Sequence, residues 1–304
     1  MAFVVGICGF MTPETRIKRI NQFIERMPSL STTVSKVLEV CNNPNASAND
    51  LNRVISYDPV LTGQMLKLIN SAYYGLPNRI TSLTRAIIML GINTVKNMVL
   101  ATSILAGCKG LSSSRHMSVN DFWAHCLCVG VLSKLIAARS GTSTIEQEEY
   151  FVAGLLHDLG KLPMMACFPD LYARTVQIAK DKNIQLFESE SIHIGFNHCQ
   201  VGVLIAAKWK LGEALQDAIN KHHSQKGPSG PVIMVSCIGL ANHLANQFKV
   251  GTAGDQFVNP WSLKTQLDLM GLSIETLTGL KGQMEIEIEK AKIFLQMAEK
   301  GSIS

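Results

Sequence analysis

The apolar positions of this chain recur at helical spacing almost from end to end. Thr12 precedes Pro13, a side-chain cap followed by a proline whose fixed φ suits the first helical turn. Ile17, Ile20, Ile24 and Met27 then form one stripe, and Pro28 predicts its end. Val34, Val37, Leu38 and Cys41 make the next face, closed by "NNPN". Ser47 and Asp50 have capping-box spacing ahead of Leu51, Val54 and Ile55. Asp58 and Pro59 open a helix that turns Leu61, Met65, Leu68 and Ile69 inward and runs to "NSAYYG". "RITSLTRAIIMLG" and "INTVKNMVLATSILAG" read as two helices meeting at Gly91.

The polar stretch "KGLSSSRHMS" is the best internal joint. Beyond it, Ser118 caps "NDFWAHCLCVGVLSKLIAARSG", which stops at Gly141. Thr144 with Gln147 is expected to cap the helix leading into "LLHDLG". Further helices are expected over about Leu171 to Lys182, Ser191 to Trp209, Glu213 to His223 and Val232 to Phe248. Two more follow, the last being "SIETLTGLKGQMEIEIEKAKIFLQMAE". No strand pair and no repeat emerges. The expected fold is all-α, a multi-helix bundle. It divides into an apolar N-terminal arm at 1–11, a helical subdomain at 12–110 and a second helical subdomain at 116–300.

Composition narrows the class. With 47% hydrophobic and 17% charged residues over 304 positions, the chain can bury a substantial core. A net charge of +5 with no dense Lys/Arg block argues against a nucleic-acid footprint. Eight cysteines occur without a CxxC pair, and Cys126 and Cys128 lie on nearly opposite sides of a helix. Reduced, buried thiols are the expectation. "MAFVVGICGFM" has no basic residue before it, so it does not read as a signal peptide. "PVIMVSCIGLANHLANQF" approaches the length of a membrane helix, but Asn242, His243, Asn246 and Gln247 mark it as a core helix. These features together predict a cytoplasmic protein with no membrane association.

Seven of the eight histidines lie at or beyond His125. Imidazole and carboxylate together suit iron, manganese or zinc. Asp121 and His125 are four apart and share a helix face. His157 and Asp158 are adjacent, so Asp158 can bridge two metals while His157 holds one. His198, His222 and His223 sit in apolar helical contexts, where unpaired imidazoles are costly. His116, His193 and His243 are assigned no role.

These residues carry a resemblance. "HDLGK", preceded by "DFWAH" and followed by "NHCQVGVLIAAKW" and "AINKHH", is similar to the HD superfamily of metal-dependent phosphohydrolases. "MPSLSTTVSKVLEV" and "SYDPVLTGQMLKLINSAYYGLPNRITSLTRAIIMLGINTVKNMVLA" narrow this to the HDOD domain, a regulatory relative in bacterial signalling. The resemblance runs from about Thr12 to Phe248. It implies metal ligation by His125, His157 and Asp158, with Asp121, His198, His222 and His223 at the extra ligand positions of the HD-GYP relatives. Lys161 is implied as a phosphate contact. The aspartate expected on the following helix is replaced by Asn242, with Asn246 one turn on, and "HHSQKGPSGPV" lacks the HHE and GYP elements.

Asparagine is a weaker, neutral ligand and takes no proton from a metal-bound water, so metal binding is expected to outlast catalysis. The resemblance therefore implies a regulatory protein that binds other signalling proteins, retains a transition metal (iron first, manganese or zinc as alternatives) and hydrolyses little or nothing. The alternative is a metal-dependent phosphohydrolase acting on a nucleotide or cyclic dinucleotide, with His157, Asp158 and Lys161 as the catalytic candidates. A nucleotide or phosphate ligand fits either reading. "AIIMLGINTVKNMVL" resembles a helix-turn-helix, but Lys96 is the lone basic residue of its second helix, too little for DNA.

Overall fold

Side-chain caps set most of the helix starts in the structure, a computed structural model that describes residues 11–108, 118–224 and 232–300. Thr12, Ser31, Ser47, Asp58 and Ser82 cap α1 (Pro13–Arg26), α2 (Thr32–Cys41), α3 (Ala48–Ser56), α4 (Pro59–Ile69) and α5 (Leu83–Leu90). Gly91, at φ 85°, turns the chain by 112° into α6 (Ile92–Gly107). Then come α7 (Val119–Arg139), α8 (Thr144–Leu156), α9 (Lys161–Cys167), α10 (Pro169–Lys182), α11 (Leu186–His193), α12 (His198–Lys208) and α13 (Glu213–Lys221). The remainder is α14 (Val232–Phe248), α15 (Pro260–Met270), α16 (Ile274–Thr278) and α17 (Lys281–Lys300). Among the described residues there is no strand, and the fold is all-α. Residues 1–10, 109–117, 225–231 and 301–304 lie outside the described residues, and with them most of the expected N-terminal arm and of the polar joint.

Several boundaries differ from expectation. The cap of α8 is Ser143, paired with Glu146, one residue before the expected pair. The helix expected from Ser191 to Trp209 is broken between α11 and α12 at Gly195, whose φ of 98° no continuous helix accommodates. Pro13 packs against this glycine, where a Cβ would come within 2.7 Å of the proline ring. The last expected helix is likewise interrupted, between Thr278 and Lys281.

Helix α7 forms the axis of the second half, packed by α8, α14 and α17. It is long and apolar enough to cross a bilayer, yet most of it is buried in protein. Helix α6 is enclosed by α2, α5, α8 and α17, so the second helix of the helix-turn-helix-like segment is largely buried. Helix α1 crosses to the other half and packs on α9 and α12. There Lys208 Nζ donates to the carbonyls of Ile24, Glu25 and Met27, satisfying the open C-terminus of α1, and Trp209 Nε1 donates to Pro28 O. One continuous apolar core therefore joins the two halves.

The "NSAYYG" turn ties them further. Asn70 Oδ1 accepts from Ile80 N and its Nδ2 donates to Ile80 O, each at 2.7 Å. This locks the turn so that Tyr73 and Tyr74 project their hydroxyls onto Glu148 of α8 at 3.3 and 3.4 Å. Lys134 of α7 pairs with the same carboxylate and donates to the Tyr73 hydroxyl, leaving no unmet charge in the junction.

Candidate metal centre

Asp158 lies at the meeting point of four imidazoles. The end of α8 delivers His157 and Asp158, because the helical path loosens into turns immediately after Leu156. Helix α7 brings His125, the first turn of α12 brings His198, and the end of α13 brings His222 and His223. From Asp158 Oδ2, His157 Nε2 is 3.2 Å and His125 Nε2 is 3.8 Å away. From Oδ1, His198 Nε2 is 3.2 Å and His222 Nε2 is 3.7 Å away. The rings of His222 and His223 are 4.3 Å apart, centroid to centroid.

Glycines make this convergence sterically feasible. A Cβ on Gly160 would fall 1.9 Å from His198 O, and one on Gly202 would meet Ile219 at 2.5 Å. The glycine of "HDLGK" thus allows α12 to lie directly against the HD turn.

Neighbouring acceptors set the tautomers. His157 Nδ1 donates to Gly154 O at 2.7 Å, and His222 Nδ1 donates to Ile219 O at 3.0 Å. His198 Nδ1 faces Glu190 Oε2 at 2.6 Å, the carboxylate–histidine pairing that orients metal ligands. Each ring therefore directs Nε2 toward Asp158. Burial holds His125 down to about 3 and His222 down to about 4, so both carry the neutral, lone-pair-bearing form a metal requires. Burial also works against charge on His198, but Glu190 outweighs it and holds that ring well above its ordinary value. Burial opposes ionisation of Asp158, and His157 and Lys161 reverse this, keeping the carboxylate charged.

The residues present fit a metal ion. His125 Nδ1 and Nε2, His157 Nε2, Asp158 Oδ1 and His223 Nε2 are buried without an aligned hydrogen-bond partner. Each such loss costs about 1–3 kcal/mol, and a cation that accepts several lone pairs at once removes it. Among the described residues, two groups have ligand atoms close enough to share an ion: His125 with His157 and Asp158, and His198 with Cys199, His222 and His223.

Two sequence expectations change, those for Asp121 and Lys161. Asp121 shares a helix with His125, but it is exposed in the first turn of α7, where the helix has not yet entered the core. Asn242 is buried on α14 beside the His125 ring, and its Oδ1 accepts from Asn246 Nδ2 at 3.3 Å. Lys161 does not face outward toward a phosphate. It is fully buried, with Nζ 2.7 Å from Asp158 Oδ2 and 3.0 Å from Ala253 O.

Two carboxylates went unnoticed in the sequence. Glu190, fully buried, also accepts from the His198 backbone N–H at 2.8 Å and from the Tyr172 hydroxyl at 2.8 Å. Asp255 accepts from Leu186 N–H at 3.2 Å and stands 3.8 Å from His223 Nε2. Burial raises its pKa. The signals were a carboxylate eight residues before His198 and an aspartate inside the glycine-rich "GTAGD".

The sequence pattern of the HDOD domain family matches residues 27–225. Over 220 residues the chain is 24% identical to an uncharacterized protein of Treponema pallidum (strain Nichols), covering 72% of this chain and 42% of that one. It spans less than half the length of the curated relatives it matches. The crystal structure of an HDOD domain protein of unknown function from Geobacter sulfurreducens superposes with a TM-score of 0.72 at 23% identity, covering 93% of this chain and 99% of that one. A Marinobacter aquaeolei VT8 protein, described provisionally as a signal transduction protein, gives 0.68 at 18% identity, covering 96% and 66%. At these identities the structural likeness establishes the fold. Together with the pattern match over most of the chain, it means that the chain belongs to the HDOD domain family.

Proposed function

We propose that this chain is a regulatory HDOD module of bacterial signalling, acting through protein partners, in which the buried His/Asp cluster holds a divalent transition metal for structure and not for turnover. The observation that carries this reading is the burial of the cluster. His125, His157, Asp158, Lys161 and His198 are wholly enclosed, and His223 is the most exposed of the ligand histidines at 7%. A phosphoester would need an open coordination position and a path to it.

The position of Lys161 points the same way. Its ammonium is committed to Asp158 and Ala253 O, so it neutralises the hub carboxylate and is not free to receive a phosphate. Asn242 supplies no carboxylate to take a proton from a bound water. When bound, the metal would be held by His125, His157, Asp158 and the downstream histidines, and would supply a Lewis-acidic cross-link between α7, α8, α12 and α13. Imidazole with carboxylate favours iron, with manganese or zinc as alternatives.

Partner binding is supported by exposed apolar side chains on helices packed against one another: Tyr57 and Val60 at the junction of α3 and α4, Ile88 and Met89 on α5. The described cysteines are all free, which accords with a reducing cytoplasm.

The test is a panel of phosphomonoesters, nucleotides and cyclic dinucleotides offered to metal-loaded protein. No turnover above the level of a His157→Ala variant is expected. Turnover that this substitution abolishes would instead establish the alternative, a metal-dependent phosphohydrolase.

A further inference from the structure

We infer that Cys199 is a sulfur ligand, and that with His198, His222 and His223 it forms a zinc-type site separate from the His125–His157–Asp158 group. The inference rests on the metal reading above and adds a site, its ligand set and its preferred ion.

The geometry begins with His198 and His222. Their Nε2 atoms are 3.4 Å apart. Two nitrogens bound to one tetrahedral ion at about 2.0–2.1 Å would be separated by roughly 3.3 Å, so the pair already stands at ligand spacing. Both Nδ1 atoms are occupied elsewhere, His198 by Glu190 and His222 by the carbonyls at the end of α13. The Cys199 sulfur, a nitrogen of His223 and the two other rings offer ligand atoms all within 4.8 Å of one another.

The remaining members are equally prepared. His223 is held by face-to-face stacking on Phe187, 4.7 Å between centroids, and its Nε2 lacks a hydrogen-bond partner. Cys199 is buried in the first turn of α12, one residue after His198. On binding, the thiol proton leaves to solvent as the metal–sulfur bond forms.

Three nitrogens and one sulfur make a tetrahedral, borderline-soft set that suits zinc, whereas the two imidazoles and carboxylate of the first group are harder. Asp158 stands between them, its Oδ2 turned to the first group and its Oδ1 to the second.

The experiment is cobalt(II) substitution of the full chain, read by absorption spectroscopy. The expected result is a near-ultraviolet thiolate-to-cobalt charge-transfer band together with intense visible bands of a tetrahedral ion. Cys199→Ser should remove the charge-transfer band and weaken zinc binding at least about tenfold, while the first group still binds. Zinc-edge absorption on the unsubstituted protein should show one sulfur neighbour at about 2.3 Å, a readout that does not depend on the variant folding. Cobalt bound with only nitrogen and oxygen neighbours would overturn the inference and leave the metal reading intact. No cobalt or zinc bound at all would overturn both.

Discussion

The carboxylate of Glu190 and the ring of His198 form the tightest contact around the centre, 2.6 Å between Oε2 and Nδ1. The same oxygen accepts the His198 backbone N–H, so Glu190 fixes both the first turn of α12 and the imidazole it presents. This one residue links helix capping to ligand orientation.

Glu190→Gln should therefore lower metal affinity about 10–100-fold while leaving the helix content unchanged. Competition against a chelator of known affinity measures it. An unchanged affinity would remove His198 from the ligand set.

Lys161→Met should destabilise metal-free protein by about 3–5 kcal/mol, because Asp158 would be left buried and uncompensated. Bound metal supplies the missing positive charge, so the rise in Tm on adding Mn²⁺ should be larger for the variant than for the parent protein. Thermal unfolding with and without metal separates the two effects, and equal rises would show that no cation reaches Asp158.

Much of this architecture is legible in the sequence, for identifiable reasons. The caps at Thr12, Ser47, Asp58 and Ser118 are local chemistry, and the structure has each one in place. At the Gly195 break, Pro13 packs against the glycine from the far end of the chain, a contact that no local pattern reveals. The expected start at Ser191 also left Glu190 outside any helix, whereas α11 carries it. Asp121 shows the opposite failure: the four-residue spacing correctly put it on the face of His125, but spacing says nothing about where a helix enters the core. Asp255 belongs to no periodic pattern and became visible only when the chain after α14 folded back over Lys161.

Gly160→Ala should cost more than about 2 kcal/mol, since its Cβ would overlap His198 O and no flexible side chain is available to yield. Chemical denaturation reads this directly. A neutral effect would mean that α12 can withdraw from the HD turn without penalty.

Acid sensitivity should have a defined direction. Burial depresses His243 to about 4. Its contribution is fully present above the unfolded value near 6.5 and is lost as pH falls toward the folded one, by up to about 3 kcal/mol. His243→Leu should therefore flatten the stability curve between those values and leave it unchanged above pH 7. Denaturation midpoints across that range provide the check, and an identical slope in both proteins would contradict it.

The enclosed His/Asp cluster, as proposed, is a metal site. Elemental analysis of protein purified without chelator or added metal tests it most directly. The expected result is about one or more transition-metal ions per chain, lost in large part in Asp158→Ala and retained in His193→Ala. Less than about one-tenth of an ion per chain in the unmodified protein would contradict it.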